Sequence, residues 1–177
     1  MMNRRKALKN IVLASGSLIT LPLWMGCNAD DTPATHLSSF SSTEQKTIAG
    51  IANTLIPAGT AAGSIGALSV GVDLFLQKLI DNCYEKDVQD NVKAQLKALD
   101  ASAKTIHDNS FAKCTQAQRQ ELLQKLSTST NKPEKDFYTL LRSETIRGFN
   151  TSKEVMQKYL NYKIAPGHYY GCVEVKA

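Results

Sequence analysis

The sequence predicts an all-α fold: a single compact domain of five to six helices with an extended C-terminal tail, preceded by a signal segment. Three observations carry this. Apolar residues recur at helical steps of three and four from Ile48 to Tyr159. Hydroxyl-led caps mark where the segments begin. Alternation longer than three residues is absent, apart from Asn161 to Ile164 and the last residues. At 177 residues the chain has room for one domain with a real core and not for two. Its 42% apolar and 21% charged residues are those of an ordinary globular protein and not of a disordered one.

Residues 1–27 stand apart from the fold as an export signal. MMNRRKALK is a basic leader, and Ile11 to Met25 is an apolar run. It is too short and too rich in Gly and Ser for a membrane span of about 20 apolar residues. Asn3-Arg4-Arg5-Lys6-Ala7-Leu8-Lys9 resembles a twin-arginine export motif: Arg4 and Arg5 are paired and the Leu and Lys are in place. Asn3 and Ala7 replace its usual Ser or Thr and its Phe. Cys27, after Gly26, stands where a lipoprotein signal has its lipid-bearing cysteine, and residues 28–40 supply a hydrophilic tether containing His36. Leu23 comes one place early for that signal and Trp24 and Met25 are bulky, so cleavage elsewhere and a soluble periplasmic domain stay open. The location expected is periplasmic and exported, with or without the lipid. Most of the formal charge of +5 belongs to this leader: without residues 1–26, 17 basic residues face 16 acidic ones. A nucleic-acid partner therefore has little support.

Residues 41–177 form the domain. Ser41 with Glu44 and Ser42 with Gln45 are overlapping capping boxes, so a first helix starts here. Ile48, Ile51, Ala52, Leu55 and Ile56 are its stripe, and Pro57 stops it. Gly59 to Gly71, with four glycines and no charge, reads as a loop and not as a core element. A second helix runs from about Val70 to Tyr84. Its wide apolar face of Leu74, Phe75, Leu79, Ile80 and Cys83 suggests the centre of the fold. A third, Lys86 to His107, places Val88, Val92, Leu96, Leu99, Ala103 and Ile106 on one stripe and turns Lys93, Lys97 and Lys104 to solvent. Asn109-Ser110 breaks it, with Phe111 and Cys114 in the connection. Thr115 caps a fourth helix with Leu122, Leu123 and Leu126 inward and Arg119 and Lys125 outward. Ser127 to Lys132 is a polar linker, and Pro133 suits the first turn of a fifth helix. Phe137, Leu140, Leu141 and Ile146 are its stripe, and Gly148 ends it. Thr151-Ser152-Lys153-Glu154 starts a short last helix with Val155, Met156 and Tyr159.

No familiar reaction chemistry emerges from the residues. His36, His107 and His168 fall one to a segment, with none of the i, i+3 or i, i+4 pairing that zinc or di-iron ligation uses. There is no Cys-x-x-Cys-His for haem and no Cys-x-x-Cys for a cluster. A nucleophile elbow is missing too, as is the Gly-x-Gly-x-x-Gly that would hold FAD in this chain. No catalytic, cofactor-binding or metal-binding residue is assigned, and whether the chain is an enzyme is left open. Tyr159, Tyr162, Tyr169 and Tyr170 bunch around a Pro-Gly turn. They are either cover for the last helix or a binding surface, since tyrosine buries a large rigid area and keeps a polar end. Among the histidines only His168 belongs with them.

Three stretches together resemble the gluconate 2-dehydrogenase subunit 3 family. One is Asn53-Thr54-Leu55-Ile56-Pro57-Ala58, a helix closing on Ile-Pro. Another is the Leu-rich helix behind Thr115-x-x-Gln118. The third runs from Phe137 to Cys172: a helix, a Gly148-Phe149-Asn150 break, a Thr151-Ser152 restart, then Tyr and Pro-Gly-x-Tyr-x-Gly-Cys. The likeness spans Leu37 to Cys172. It implies a non-catalytic small subunit beside a large FAD-dependent dehydrogenase of the glucose-methanol-choline class, often with a membrane cytochrome c. Such a complex oxidises gluconate or related sugars and polyols in the periplasm, and the small subunit helps to export and assemble its folded partner. FAD is then held by the partner and not by this chain. Contact with the membrane would come through the lipid or the partner, and Tyr162, His168, Tyr169 and Tyr170 would meet the partner. The resemblance also implies a Cys83–Cys172 disulfide closing a loop of about 90 residues, stabilising by roughly 4–5 kcal/mol in the chain-entropy model, with Cys114 as a competing thiol. A free-standing helical lipoprotein of the cell envelope, without a dehydrogenase, is the alternative.

Overall fold

The computed structural model describes residues 38–59 and 64–163, with Ala165, Gly167, Gly171 and Cys172, all within one compact unit, Ser38–Ala177. Its elements are α1 (Ser42–Leu55), a 3-10 turn (Ala67–Val70), α2 (Val72–Cys83), α3 (Lys86–His107), a second 3-10 turn (Phe111–Lys113), α4 (Gln116–Ser127), α5 (Lys132–Asn150) and α6 (Lys153–Lys158). Among the described residues there is no strand. The all-helical expectation holds, and α3 begins and ends where its stripe predicts.

The caps explain the starts. The Ser41 hydroxyl accepts the Glu44 N–H at 3.4 Å, and the Glu44 carboxylate takes the Ser41 N–H at 2.7 Å. The overlapping Ser42–Gln45 box is not formed, because Gln45 Nε2 donates to the Phe40 carbonyl at 2.9 Å. Thr115 and Gln118 make the same reciprocal pair at 3.4 and 2.9 Å. Pro133 lies in the first turn of α5, where its missing N–H costs nothing.

The centre is α1 and not α2. α1 packs against α2, α3, α4, α5 and both 3-10 turns. Its Ile48, Ile51 and Ala52 are almost wholly buried. α2 instead offers a narrow face, with Val72, Leu76, Gln77 and Ile80 buried and Leu74 and Cys83 exposed. α3 buries Val92, Leu96, Leu99 and Ala103 as expected, whereas Ile106 at the end of its stripe is exposed. The Gly-rich segment also contributes to the core, since Ala67 in the first turn is fully buried. Gly71 then takes a left-handed φ of 68° and lets α2 start.

Two further readings are corrected. α5 does not break at Gly148 but continues to Asn150. Gly148 is buried because Phe75 of α2 rests on it: a Cβ there would meet the ring at 2.6 Å. The buried stripe of α5 is accordingly Phe137, Leu141, Thr145 and Gly148, and Ile146 points away. Asn161 does not begin a strand, for it has a left-handed φ of 48°.

Candidate interaction surface

The seam between α2 and α5 fixes one end of the bundle. Besides the Phe75–Gly148 contact, the Arg147 guanidinium lies 5.5 Å from the Phe75 ring centre, a cation–π distance. Arg147 Nε also donates to Glu144 Oε2 at 2.6 Å. Tyr84, just past α2, donates its hydroxyl to Glu144 Oε1 at 3.1 Å. Burial first, and then this bond to a carboxylate, push the Tyr84 phenol above its ordinary pKa. Val155 is the buried residue of α6, which packs against α5.

This end is where apolar surface meets solvent. Large hydrophobic side chains exposed among the described residues are Leu68, Leu74, Ile106, Ile146, Tyr159, Leu160 and Tyr162. All but Ile106 sit on or just past α5, or on the first 3-10 turn, α2 or the end of α6, each of which packs against α5. Tyr159, Leu160 and Tyr162 are 56%, 58% and 52% exposed, so of the four tyrosines read from the sequence the two described ones are largely open to solvent. Their backbone is nonetheless fixed. The Tyr159 N–H donates to Val155 O at 3.0 Å, and after the left-handed Asn161 the Tyr162 N–H returns to Met156 O at 2.9 Å. Asn is among the few side chains that accept that turn. An exposed tyrosine on a held backbone loses little freedom on binding, which is what an interaction anchor needs.

Groups elsewhere that look reactive have structural employment. Asp100, 6% exposed, accepts the Phe111 N–H at 2.9 Å and the Lys104 ammonium at 2.6 Å, tying the second 3-10 turn to α3. Glu44, 7% exposed, serves the α1 cap and faces Lys97 at 3.9 Å. Lys93 lies 5.4 Å from the Phe40 ring centre. The three lysines of α3 expected to meet only solvent thus reach specific partners. Glu44, Asp100, Lys97 and Lys104 line a cleft of about 310 Å³ between α1 and α3. Its charges are already matched. A cleft of about 390 Å³ between α3 and the start of α5 has an apolar floor of Val88, Val92, Phe137 and Leu140. His107 ends α3 as expected, and its Nε2 is buried without a hydrogen-bond partner. Among the described residues no group of three or more His, Cys, Asp or Glu could hold a metal ion, and no helix is long and apolar enough to cross a membrane.

Of the residues singled out from the sequence, Tyr159 and Tyr162 are exposed at the end of α6. Arg4, Arg5, Cys27, His36, His168, Tyr169 and Tyr170 lie outside the described residues. Cys83 and Cys172 are both exposed and carry free thiols, so the bond implied for them is not formed here. Cys114 is a core residue at 5% exposure, its thiol directed to Ser110 O at 3.5 Å, and burial pushes its pKa up. It is poorly placed to compete for either partner. Sequence reasoning missed Asp100, Phe75 with Gly148, and Asn161. For Gly148 a signal existed, a glycine inside an otherwise continuous helical stretch.

The described residues thus form an all-α domain with apolar and aromatic side chains exposed on the elements around α5. The family model described as gluconate 2-dehydrogenase subunit 3 matches residues 42–167. The chain belongs to that family. No curated protein matches it, and no solved structure does.

Proposed function

We propose that this chain is the non-catalytic small subunit of a periplasmic FAD-dependent dehydrogenase acting on gluconate or a related sugar or polyol, and that it aids export and assembly of the flavin-bearing subunit. The observation that carries the reading is family membership across residues 42–167, nearly the whole helical domain. The exposed end bearing Tyr159, Leu160 and Tyr162 supports a role in binding. The leader agrees with the export role, since a flavoprotein must fold around its FAD before it crosses the membrane, and twin-arginine transport accepts folded cargo. Cys27 would carry lipid and hold the assembly at the membrane, where a cytochrome c could take the electrons.

The test is co-purification. A full-length chain tagged after Ala177 is expected to bring down a flavin-containing oxidoreductase that lacks a leader of its own. Replacing Arg4 and Arg5 by Lys is expected to leave that flavoprotein in the cytoplasm. Secretion of the flavoprotein undiminished by the Arg4→Lys/Arg5→Lys change would end the export role.

A further inference from the structure

The net charge of the described domain lies on the segment 142–163, which also carries four of its exposed apolar side chains. Residues 38–141 carry eleven Lys and Arg against eleven Asp and Glu, whereas residues 142–163 carry five against two. Arg147 is committed to Glu144. The other four, Arg142, Lys153, Lys158 and Lys163, are exposed and make no ion pair with any described residue. Interleaved with them are Ile146, Tyr159, Leu160 and Tyr162. Ion pairs elsewhere in the domain, such as Lys86–Asp90, Lys104–Asp100, Lys125–Glu121 and Lys132–Asp136, leave other lysines of residues 38–141 unpaired too, but there acids equal bases in number.

We infer that this basic, aromatic end docks an acidic protein face with an apolar centre, and, resting on the function proposed above, that the face belongs to the flavin-bearing subunit. Charge complementarity names the occupant. Bases with no ion-pair partner among the described residues, set around exposed aromatics, suit the rim and centre of a protein interface, and rim charges speed and orient encounter without adding much affinity. An anionic membrane surface would also attract the bases, but α6 is only six residues long. The apolar side chains come from four elements of a packed bundle and not from one helical stripe that could lie in a bilayer.

The test uses the full-length chain and the flavoprotein it co-purifies, separated and recombined across a salt series. Wild type is expected to lose about tenfold or more in association rate between low and high salt, the scale of electrostatic steering. The Lys153→Gln/Lys158→Gln/Lys163→Gln variant is expected to start about tenfold slower at low salt, with a flattened salt response and an unchanged melting temperature. Tyr159→Ser/Tyr162→Ser is expected to raise the dissociation rate at every salt concentration. A triple-Gln variant that associates like wild type at all salts overturns the inference and leaves the subunit reading standing. A wild-type chain that binds no flavoprotein at any salt overturns both. Salt-sensitive sedimentation of the chain with phosphatidylglycerol vesicles, lost in the triple variant while flavoprotein binding is kept, assigns the end to the membrane and overturns the protein partner.

Discussion

At the scale of single residues, the fold depends on a few contacts between positions distant in sequence. Asp100 is the clearest. Asp100→Ala would leave the Phe111 N–H buried without an acceptor, and the expected loss is about 1–3 kcal/mol in urea denaturation. A loss below a few tenths would show that water replaces the carboxylate. Gly148→Val would drive a side chain into the Phe75 ring, where even a Cβ would stand 2.6 Å away. Overpacking of this kind costs about 1–3 kcal/mol, more than the few tenths that valine gains over glycine in helix propensity. Thiol reactivity separates the cysteines. In the reduced folded protein, maleimide is expected to label Cys83 and Cys172 well before Cys114, which is buried with its thiol pKa raised. Labelling of Cys114 at the same rate would contradict its place in the core. These residues were largely illegible in the sequence, because nothing local in Asp100 or Gly148 says what will pack across from it. The exposed Ile146 is different. From Leu141, Thr145 is turned about 40° around the helix and Ile146 about 140°. Strict helical angle therefore selects the buried threonine, where a preference for apolar residues selects the isoleucine.

At the scale of elements, periodicity and caps were sufficient where a helix is set by its own residues. α3 ends at His107 because Asp108 turns left-handed, with a φ of 54°, and the Thr115–Gln118 box starts α4. Thr115→Ala is expected to cost about 1 kcal/mol, and Thr115→Asp to restore most of it. What the pattern could not give was rank among the helices. α2 has more apolar residues than it buries, and some of the surplus, Leu74 above all, lies on the exposed end. The seam between α2 and α5 also carries a pH signature. Tyr84 has a pKa raised in the folded state, so the folded protein holds that proton more tightly than the unfolded chain. Its contribution is fully present below about pH 10, the ordinary tyrosine value, and is lost as pH rises through the higher folded pKa. Wild-type stability is expected to fall more steeply than that of Tyr84→Phe above that point. Parallel curves would show that the phenol feels no such seam.

For the whole molecule, the domain is a packed helical body whose polar groups support the fold and whose apolar, basic side chains around α5 are exposed among the described residues. The family was legible in the sequence because stretches that resemble it, an Ile-Pro helix end and a Thr-x-x-Gln cap, are local and lie within the matched residues 42–167. The proposed interaction surface was legible at Tyr159 and Tyr162. Its other members, Leu68, Leu74 and Ile146, are brought to the same end by packing around α5 and carry no mark in the chain itself. The most direct measurement is the absorbance spectrum of the tagged full-length chain as it elutes from size exclusion, taken before and after the partner is stripped away. The expected result is a flavin spectrum in a complex larger than 19.4 kDa that oxidises gluconate or a related polyol, with a colourless, inactive chain once the partner is removed. A chain that keeps the flavin, or oxidises the sugar alone, would contradict the assignment of a non-catalytic subunit.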